Sequence, residues 1–175
     1  IMFPMVTTVN EIKEAKKILL EVKEELEKEF IEVKMPKIGI MIEVPAAALN
    51  IDVISKYVDF ISIGTNDLIQ YLFAADRVNQ KVSHLYQPFH PIVIKTLKMI
   101  IDTAHKNNII VSVCGEMAGN PKQALLLLGL GVDSLSMSPS LIPEIKYLIS
   151  KSKYSSLKKL SRDSIKLETH NEVES

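Results

Sequence analysis

Short apolar runs alternate with amphipathic stretches along this chain, and this alternation is the feature that most constrains its fold. The runs are continuous rather than strictly alternating between apolar and polar residues, which is typical of strands covered on both faces. Strands separated by helices in this order predict a parallel sheet built from right-handed crossovers. The predicted strands are Ile1–Met5, Ile38–Ile42, Phe60–Ile63, Ile109–Val113 and Ser134–Met137.

Local sequence signals place helices between these strands. Thr8 and Glu11 have the spacing of a capping box, and an apolar stripe from Ile12 to Phe30 predicts a long amphipathic helix. Further helices are expected over Ala46–Tyr57 and from Pro121 to Leu128, the second ended by glycines. Two more are expected to begin at prolines, namely Pro91 and Pro143.

Polar residues follow these predicted strands at their C-terminal ends. The positions are Glu43, Gly64-Thr65-Asn66-Asp67, Cys114-Gly115-Glu116, and Ser136 with Ser138. Such placement is typical of the active face of a (β/α)8 barrel. A doubly wound sheet usually has a G-x-G-x-x-G sequence in its first turn, and this chain has none. A complete barrel has ~250 residues and eight strands, so we expect residues 1–150 to form its C-terminal part, about five βα units.

Composition excludes several classes of function. The 21 basic and 21 acidic residues cancel, which argues against a nucleic-acid or anionic-membrane binder. No apolar run reaches the roughly 18 residues of a bilayer span. The single cysteine, Cys114, suits a reducing cytoplasm. Residues 151–175, basic and then acidic, are expected to be a helical or disordered tail.

Two carboxylates are candidate metal ligands. Glu43 and Asp67 follow neighbouring predicted strands, which lie ~4.8 Å apart in a sheet, so their side chains can meet at one Mg²⁺ ion. The alternatives are a strand-end ion pair for Glu43 and an Asx turn or helix cap for Asp67. The backbone N–H groups of Gly64 to Asp67 can bind an anion, or this segment can be only a tight turn.

Cys114 and Arg77 are the other candidates for chemistry. A thiol at a strand end can act as a general acid, although a lone cysteine is often only a small buried apolar residue. Arg77 has the planar fork that suits phosphate or carboxylate, or it can pair with Asp76 at the surface. His84 and His90 are expected to be structural.

Three segments carry a family resemblance: Gly39-Ile-Met-Ile-Glu-Val-Pro-Ala-Ala-Ala48, Phe60-Ile-Ser-Ile-Gly-Thr-Asn-Asp-Leu-Ile-Gln70 and Val113-Cys-Gly-Glu-Met-Ala-Gly119. They resemble the phosphoenolpyruvate (PEP)-utilising enzymes, a family that includes enzyme I of the bacterial sugar phosphotransferase system, pyruvate phosphate dikinase and PEP synthase. Met2-Phe-Pro-Met5, Ala75-Asp-Arg-Val-Asn79 and His84-Leu-Tyr-Gln-Pro-Phe-His-Pro91 are most similar to the enzyme I branch.

The resemblance implies a role for each matching residue. Glu43 and Asp67 would bind Mg²⁺, Asn66 and Arg77 would bind PEP, and Cys114 would protonate the enolate to give pyruvate. Together with the anion-binding interpretation of the turn, this makes Gly64, Thr65 and Asp67 further candidate substrate contacts. The phosphoryl acceptor would be a histidine on an N-terminal domain outside this sequence, and a phosphocarrier protein would receive the group next. A cytoplasmic homodimer formed through the barrel is also implied.

Two alternatives remain at this point. The chain can be part of a sister dikinase or synthase, which the Ala75–Pro91 segment disfavours. It can also be a non-catalytic fragment that serves as a dimerisation or scaffold module.

Overall fold

The computed structural model describes all residues from Ile1 to Ser175 and contains one sheet of five parallel strands. Each strand pairs with the next one along the chain, so the sheet order follows the sequence. The α/β class and the partial (β/α)8 architecture predicted from the sequence are confirmed. The strands are β1 Met2–Phe3, β2 Gly39–Ile42, β3 Phe60–Gly64, β4 Ile110–Cys114 and β5 Ser134–Leu135.

Helices connect the strands and continue beyond the last one. They are α1 Val9–Lys28, α2 Pro45–Leu49, α3 Ile51–Ile54, α4 Thr65–Phe73, α5 Pro91–Lys106, α6 Glu116–Gly119, α7 Pro121–Leu130, α8 Ile142–Lys151, α9 Tyr154–Ser164 and α10 His170–Glu174. Three 3₁₀ turns lie at Ser55–Tyr57, Ser83–Leu85 and Pro139–Leu141. None of the helices combines the length and apolar character needed to cross a bilayer.

Alternate residues of the central strands form one completely buried face of the sheet. Ile40, Ile42, Ile61, Ile63, Val111 and Val113 are all 0% exposed. Helix α5 contributes a wide buried face that includes Leu97 and Ile100. These strands are therefore held by apolar burial, at roughly 1.5–3 kcal/mol for each large side chain removed from water.

The helix predictions need three corrections. The predicted helix over Ala46–Tyr57 is broken at Asn50, whose φ of −104° and ψ of 20° separate α2 from α3. Helix α7 continues past Leu128, because Gly129 lies inside it and only Gly131, with φ of 102°, ends it. In α1, Ile12 is the only buried residue, and the predicted stripe ends at Phe30, which is 98% exposed outside the helix.

Two aspartates stabilise the N-terminal ends of the strands through the same pair of hydrogen bonds. The Asp59 N–H donates to the Ile38 carbonyl at 2.7 Å, and its Oδ2 accepts the Ile38 N–H at 2.7 Å. Asp133 repeats both bonds with Val111, at 2.9 and 2.8 Å. Each aspartate therefore extends the strand ladder by one side-chain bond, at the end of the sheet opposite the polar groups described below.

Residues 151–175, predicted to be helical or disordered, contain α9 and α10. Helix α9 packs closely on α7, and the Ser161 hydroxyl donates to the Leu126 carbonyl at 3.0 Å. A Cβ atom on Gly129 would lie only 2.2 Å from the Leu157 carbonyl oxygen. Glycine is therefore required at this point of closest approach between the two helices.

Candidate active site at the C-terminal ends of the strands

The polar residues singled out in the sequence lie at one end of the sheet. Glu43 follows β2, Thr65 to Asp67 follow β3, and Cys114 ends β4. Gly64 pairs with Cys114 in the register between β3 and β4. The parallel topology therefore brings the predicted carboxylates, amide and thiol to neighbouring positions.

Glu43 is buried beside the backbone of the adjacent strands. Its side chain accepts the Met5 N–H on Oε1 at 2.7 Å, and only 4% of the residue is exposed. A Cβ atom on Gly64 would lie 2.6 Å from Glu43 Oε2, so glycine leaves the space that this carboxylate occupies. Burial raises the pKa of the Glu43 carboxyl; the Met5 hydrogen bond opposes this, and the neighbouring Asp67 carboxylate adds to it.

The Glu43 and Asp67 carboxylates form a like-charged pair. Each lacks a cationic partner among the ion pairs of the chain. No group of three or more His, Cys, Asp or Glu side chains is placed to hold a metal ion. Two carboxylates without a counter-charge suit a cation that completes its coordination with water and substrate oxygens, as Mg²⁺ does.

The turn after β4 is held by side chains from the start of α4. The Thr65 hydroxyl donates to the Cys114 carbonyl at 2.9 Å, and Asn66 Oδ1 accepts the Glu116 N–H at 3.0 Å. Gly115, between them, has φ of 95°. The Cys114 Sγ atom lies 3.6 Å from the Ile63 carbonyl oxygen, within reach of a weak S–H hydrogen bond.

Arg77 joins this group from the loop after α4. Its Nη1 lies 3.1 Å from Glu116 Oε1, and its backbone N–H donates to Gln70 Oε1 at 3.2 Å. Asp76, the alternative partner considered from the sequence, instead accepts the Val78 N–H at 3.0 Å. The guanidinium is thus held beside the Cys114 turn by a carboxylate 39 residues away in the chain.

Two residues near the site were not assigned a role from the sequence. Glu116 stands within the Val113–Gly119 motif, but its pairing with Arg77 depends on loop geometry. Tyr86 lies near Glu116 and Arg77. The pKa of its hydroxyl is raised to about 12, mainly by burial and then by the Glu116 carboxylate. Its position between His84 and His90 was the available signal. His90 itself caps α5, because its Nδ1 accepts the Ile92 N–H at 3.2 Å.

A cavity of about 590 Å³ opens beside the thiol. Its lining includes Asn66, Cys114 and Glu116, and also Ser136 and Ser138. The predicted residues Glu43, Asp67 and Arg77 are not among those that line it. The structure therefore gathers the thiol and the Asn66 side chain in one cavity, and the carboxylate pair is not part of its lining.

Comparison with known proteins decides the family. A family model described as PEP-utilising enzyme, PEP-binding domain, matches residues 1–154. The chain belongs to this family. The PEP-utilising enzymes were the resemblance noted in the sequence, and that prediction is confirmed over almost the same residues.

Relatives within the PEP-utilising enzymes carry a more specific name. The phosphoenolpyruvate-protein phosphotransferase of Listeria monocytogenes is 49% identical over 174 residues, and that of Mycoplasma capricolum is 47% identical over the same length. Each alignment covers 99% of this chain and 30% of the relative, so the chain spans about a third of the proteins that it matches.

Solved structures confirm the fold alone. A citrate lyase from Burkholderia xenovorans superposes with a TM-score of 0.62 at 12% identity, covering 99% of this chain and 59% of the other. The CitE protein of Mycobacterium tuberculosis, solved with magnesium and acetoacetate, gives 0.56 at 14% identity, covering 94% and 62% of the two chains.

Proposed function

We propose that this chain is the PEP-binding part of a phosphoenolpyruvate-protein phosphotransferase. The reaction transfers the phosphoryl group of PEP to a histidine on an N-terminal domain outside this sequence and releases pyruvate. The observation that carries the proposal is the convergence of Glu43, Asp67 and Asn66 with Cys114 at one end of the sheet. The name shared by relatives at 46–49% identity supports it.

Glu43 and Asp67 are the proposed Mg²⁺ ligands. The fit rests on the buried Glu43 carboxylate, its neighbour Asp67 and the lack of a cationic partner for either. When bound, Mg²⁺ would neutralise charge on the phosphate and on the enolate leaving group. The CitE protein, which shares this fold, was solved in complex with magnesium.

Asn66 and Arg77 are the proposed contacts to PEP. Because Asn66 Oδ1 accepts a backbone N–H, the Nδ2 donor end of the amide is left free for an anionic substrate. Arg77 holds one carboxylate, Glu116, at 3.1 Å and can exchange it for substrate phosphate or carboxylate. The backbone of Gly64 and Thr65 opens α4, where N–H groups favour anions.

Cys114 is the proposed proton donor. As the P–O bond of PEP breaks, the phosphoryl group moves to the histidine nitrogen and the electron pair stays on the enolate. The S–H of Cys114 then protonates the terminal methylene carbon to give pyruvate, and water returns the proton to the thiolate. The position of Cys114 on the 590 Å³ cavity supports this role.

Partners follow from the same proposal. A phosphocarrier protein would accept the phosphoryl group from the histidine domain and so start sugar uptake by the phosphotransferase system. The complete enzyme would be a cytoplasmic homodimer assembled through its barrel.

Charge-neutral substitutions test the metal site in the complete enzyme. We expect Glu43→Gln and Asp67→Asn to abolish phosphoryl transfer while circular dichroism shows an intact fold. Asp102→Asn is the control, because this carboxylate lies on α5 and pairs with Lys98. Normal turnover with Mg²⁺ in either site variant would overturn the assignment.

Replacement of Cys114 tests the proton donor separately. We expect Cys114→Ala to transfer the phosphoryl group in a single turnover but to release enolpyruvate, which water converts to pyruvate only slowly. Lactate dehydrogenase detects pyruvate and not enolpyruvate. In the variant, the pyruvate signal should therefore lag behind phosphoryl transfer. A variant without this lag would return Cys114 to a packing role.

A further inference from the structure

The start of α4 and the turn after β4 are joined by a pair of side-chain to backbone hydrogen bonds. Thr65 donates from its hydroxyl to the Cys114 carbonyl, and Asn66 accepts the Glu116 N–H. The two bonds flank Gly115 on both sides. Together they fix the backbone from which the Cys114 thiol projects.

Gly115 shows how closely the two side chains are packed on this turn. A Cβ atom at Gly115 would lie 2.6 Å from Thr65 Oγ1 and 2.9 Å from Asn66 Oδ1. The φ of 95° also favours glycine. The turn can therefore adopt this path only with glycine at its centre.

Thr65 differs from Asn66 in its surroundings. The threonine is 0% exposed and is not among the residues that line the cavity, whereas Asn66 lines it. The Thr65 hydroxyl has its single proton committed to the Cys114 carbonyl at 2.9 Å. It is therefore placed to act on the thiol through the backbone and has no donor left for a substrate.

From this arrangement we infer that Thr65 is a positioning residue for Cys114, and that its side chain does not contact the substrate. Its hydroxyl fixes the Cys114 carbonyl, and this sets the thiol between the Ile63 carbonyl, 3.6 Å from Sγ, and the cavity. The consequence for catalysis rests on the proposed role of Cys114 as proton donor. The consequence for the thiol's environment does not depend on that role.

Three variants separate the hydroxyl from the rest of the side chain. Thr65→Val keeps the shape and removes the donor, and Thr65→Ser keeps the donor. Ser112→Ala is a matched control, because the Ser112 hydroxyl donates from the same strand to the Ile61 carbonyl at 3.2 Å, two residues before Cys114. If Thr65→Val melts without cooperativity, Thr65→Ala takes its place.

The first measurement is independent of activity. The complete protein is treated with iodoacetamide, and alkylation of the Cys114 peptide is followed by mass spectrometry. We expect Thr65→Val to change the alkylation rate about 2- to 12-fold, the factor that corresponds to one lost hydrogen bond. Thr65→Ser and Ser112→Ala should stay within about twofold of the wild type, since the bond to Cys114 remains in both.

The second measurement uses the reaction with PEP. We expect Thr65→Val to lengthen the lag between phosphoryl transfer and pyruvate detection while the KM for PEP stays unchanged. A raised KM with unchanged lag and alkylation would show that Thr65 contacts substrate, and it would overturn the inference. Equal behaviour of Thr65→Val and Ser112→Ala in every measurement would overturn it as well.

The Cys114→Ala variant separates failure of the inference from failure of the proposed function. If Cys114→Ala shows no lag, Cys114 is not the proton donor. The alkylation contrast between Thr65→Val and Thr65→Ser then decides the positioning role by itself, and a clear contrast still supports it.

Discussion

Gly64→Ala is the substitution that tests the carboxylate site most directly without changing a carboxylate. Gly64 has φ of −84° and ψ of 86°, which alanine can adopt, so backbone strain is not the issue. The added Cβ would lie 2.6 Å from Glu43 Oε2 and 3.0 Å from Glu43 Cβ. The substitution therefore acts on Glu43 through contact alone.

The size of the effect follows from these distances. To regain an ordinary contact of 3.4 Å or more, Glu43 Oε2 must retreat by about 0.8 Å. Metal sites tolerate ligand displacements of roughly 0.2 Å. Loss of the groups that orient a ligand lowers metal affinity about 10- to 100-fold. We expect the Mg²⁺ concentration for half-maximal activity of the complete enzyme to rise by a similar factor.

A titration of activity against Mg²⁺ measures the half-maximal Mg²⁺ concentration. Gly39→Ala is the matched control. Gly39 lies at the other end of the neighbouring strand, where a Cβ would meet the Phe60 ring at 2.3 Å. Both variants should lose stability from overpacking, about 1–3 kcal/mol each, but only Gly64→Ala should shift the Mg²⁺ dependence. An unchanged Mg²⁺ curve for Gly64→Ala, or an equal shift for Gly39→Ala, would refute the reasoning.

Four further predictions follow from other parts of the chain. Gly129→Ala should destabilise the protein by about 1–3 kcal/mol in chemical denaturation despite its better helix propensity, because the Leu157 backbone cannot move away. Asp133→Asn should cost about 1 kcal/mol at pH 7, and the difference from wild type should vanish as the pH falls well below ~3.9. Arg77→Lys should raise the KM for PEP about tenfold or more, because lysine lacks the planar fork. This chain expressed alone should self-associate in sedimentation and lack PEP turnover, since β1 and β5 are open edges; a monodisperse active protein would contradict this.

The sign of the Asp133 prediction comes from its surroundings in the fold. Burial acts to raise the pKa of the Asp133 carboxyl, but the Val111 N–H and the His105 ring outweigh it, and the net pKa is lowered. A carboxyl whose pKa is lower in the folded than in the unfolded protein stabilises the fold at pH values above the unfolded-state pKa. This contribution is lost as the pH falls and the folded protein takes up the proton. Asparagine does not take up a proton in this pH range. The free energies of unfolding of the wild type and of Asp133→Asn should therefore converge in acid.

The strand ends could be predicted because a continuous apolar run followed by polar residues is a simple pattern in the sequence. Once the run ending at Ile42 is identified as a strand, Glu43 must lie at its C-terminal end, and the structure places it there. The same reasoning placed Cys114 at the end of β4. The position of these residues along the sheet thus depended only on local sequence.

Partners across the site could not be predicted, because they depend on irregular backbone. Arg77 reaches Glu116 only after the chain leaves α4 through Ala74, which has φ of 49°. No periodic pattern encodes such a path. The glycine in α7 was misjudged for a related reason: Gly129 is set by the approach of α9, a tertiary contact, and not by the end of its helix.

The carboxylates at the two ends of the sheet differ in their neighbours. At the N-terminal end, Asp59 and Asp133 accept strand N–H groups and so stabilise the ladder. At the C-terminal end, Glu43 also accepts a backbone N–H, from Met5, but it is buried beside the Asp67 carboxylate, and burial raises its pKa, so folding disfavours its ionised form. A buried charge of this kind persists only where the surrounding structure compensates for it. The Glu43 and Asp67 carboxylates therefore cost stability at the end of the sheet where we propose a site for a cation and an anionic substrate, whereas the hydrogen bonds of Asp59 and Asp133 add stability at the other end.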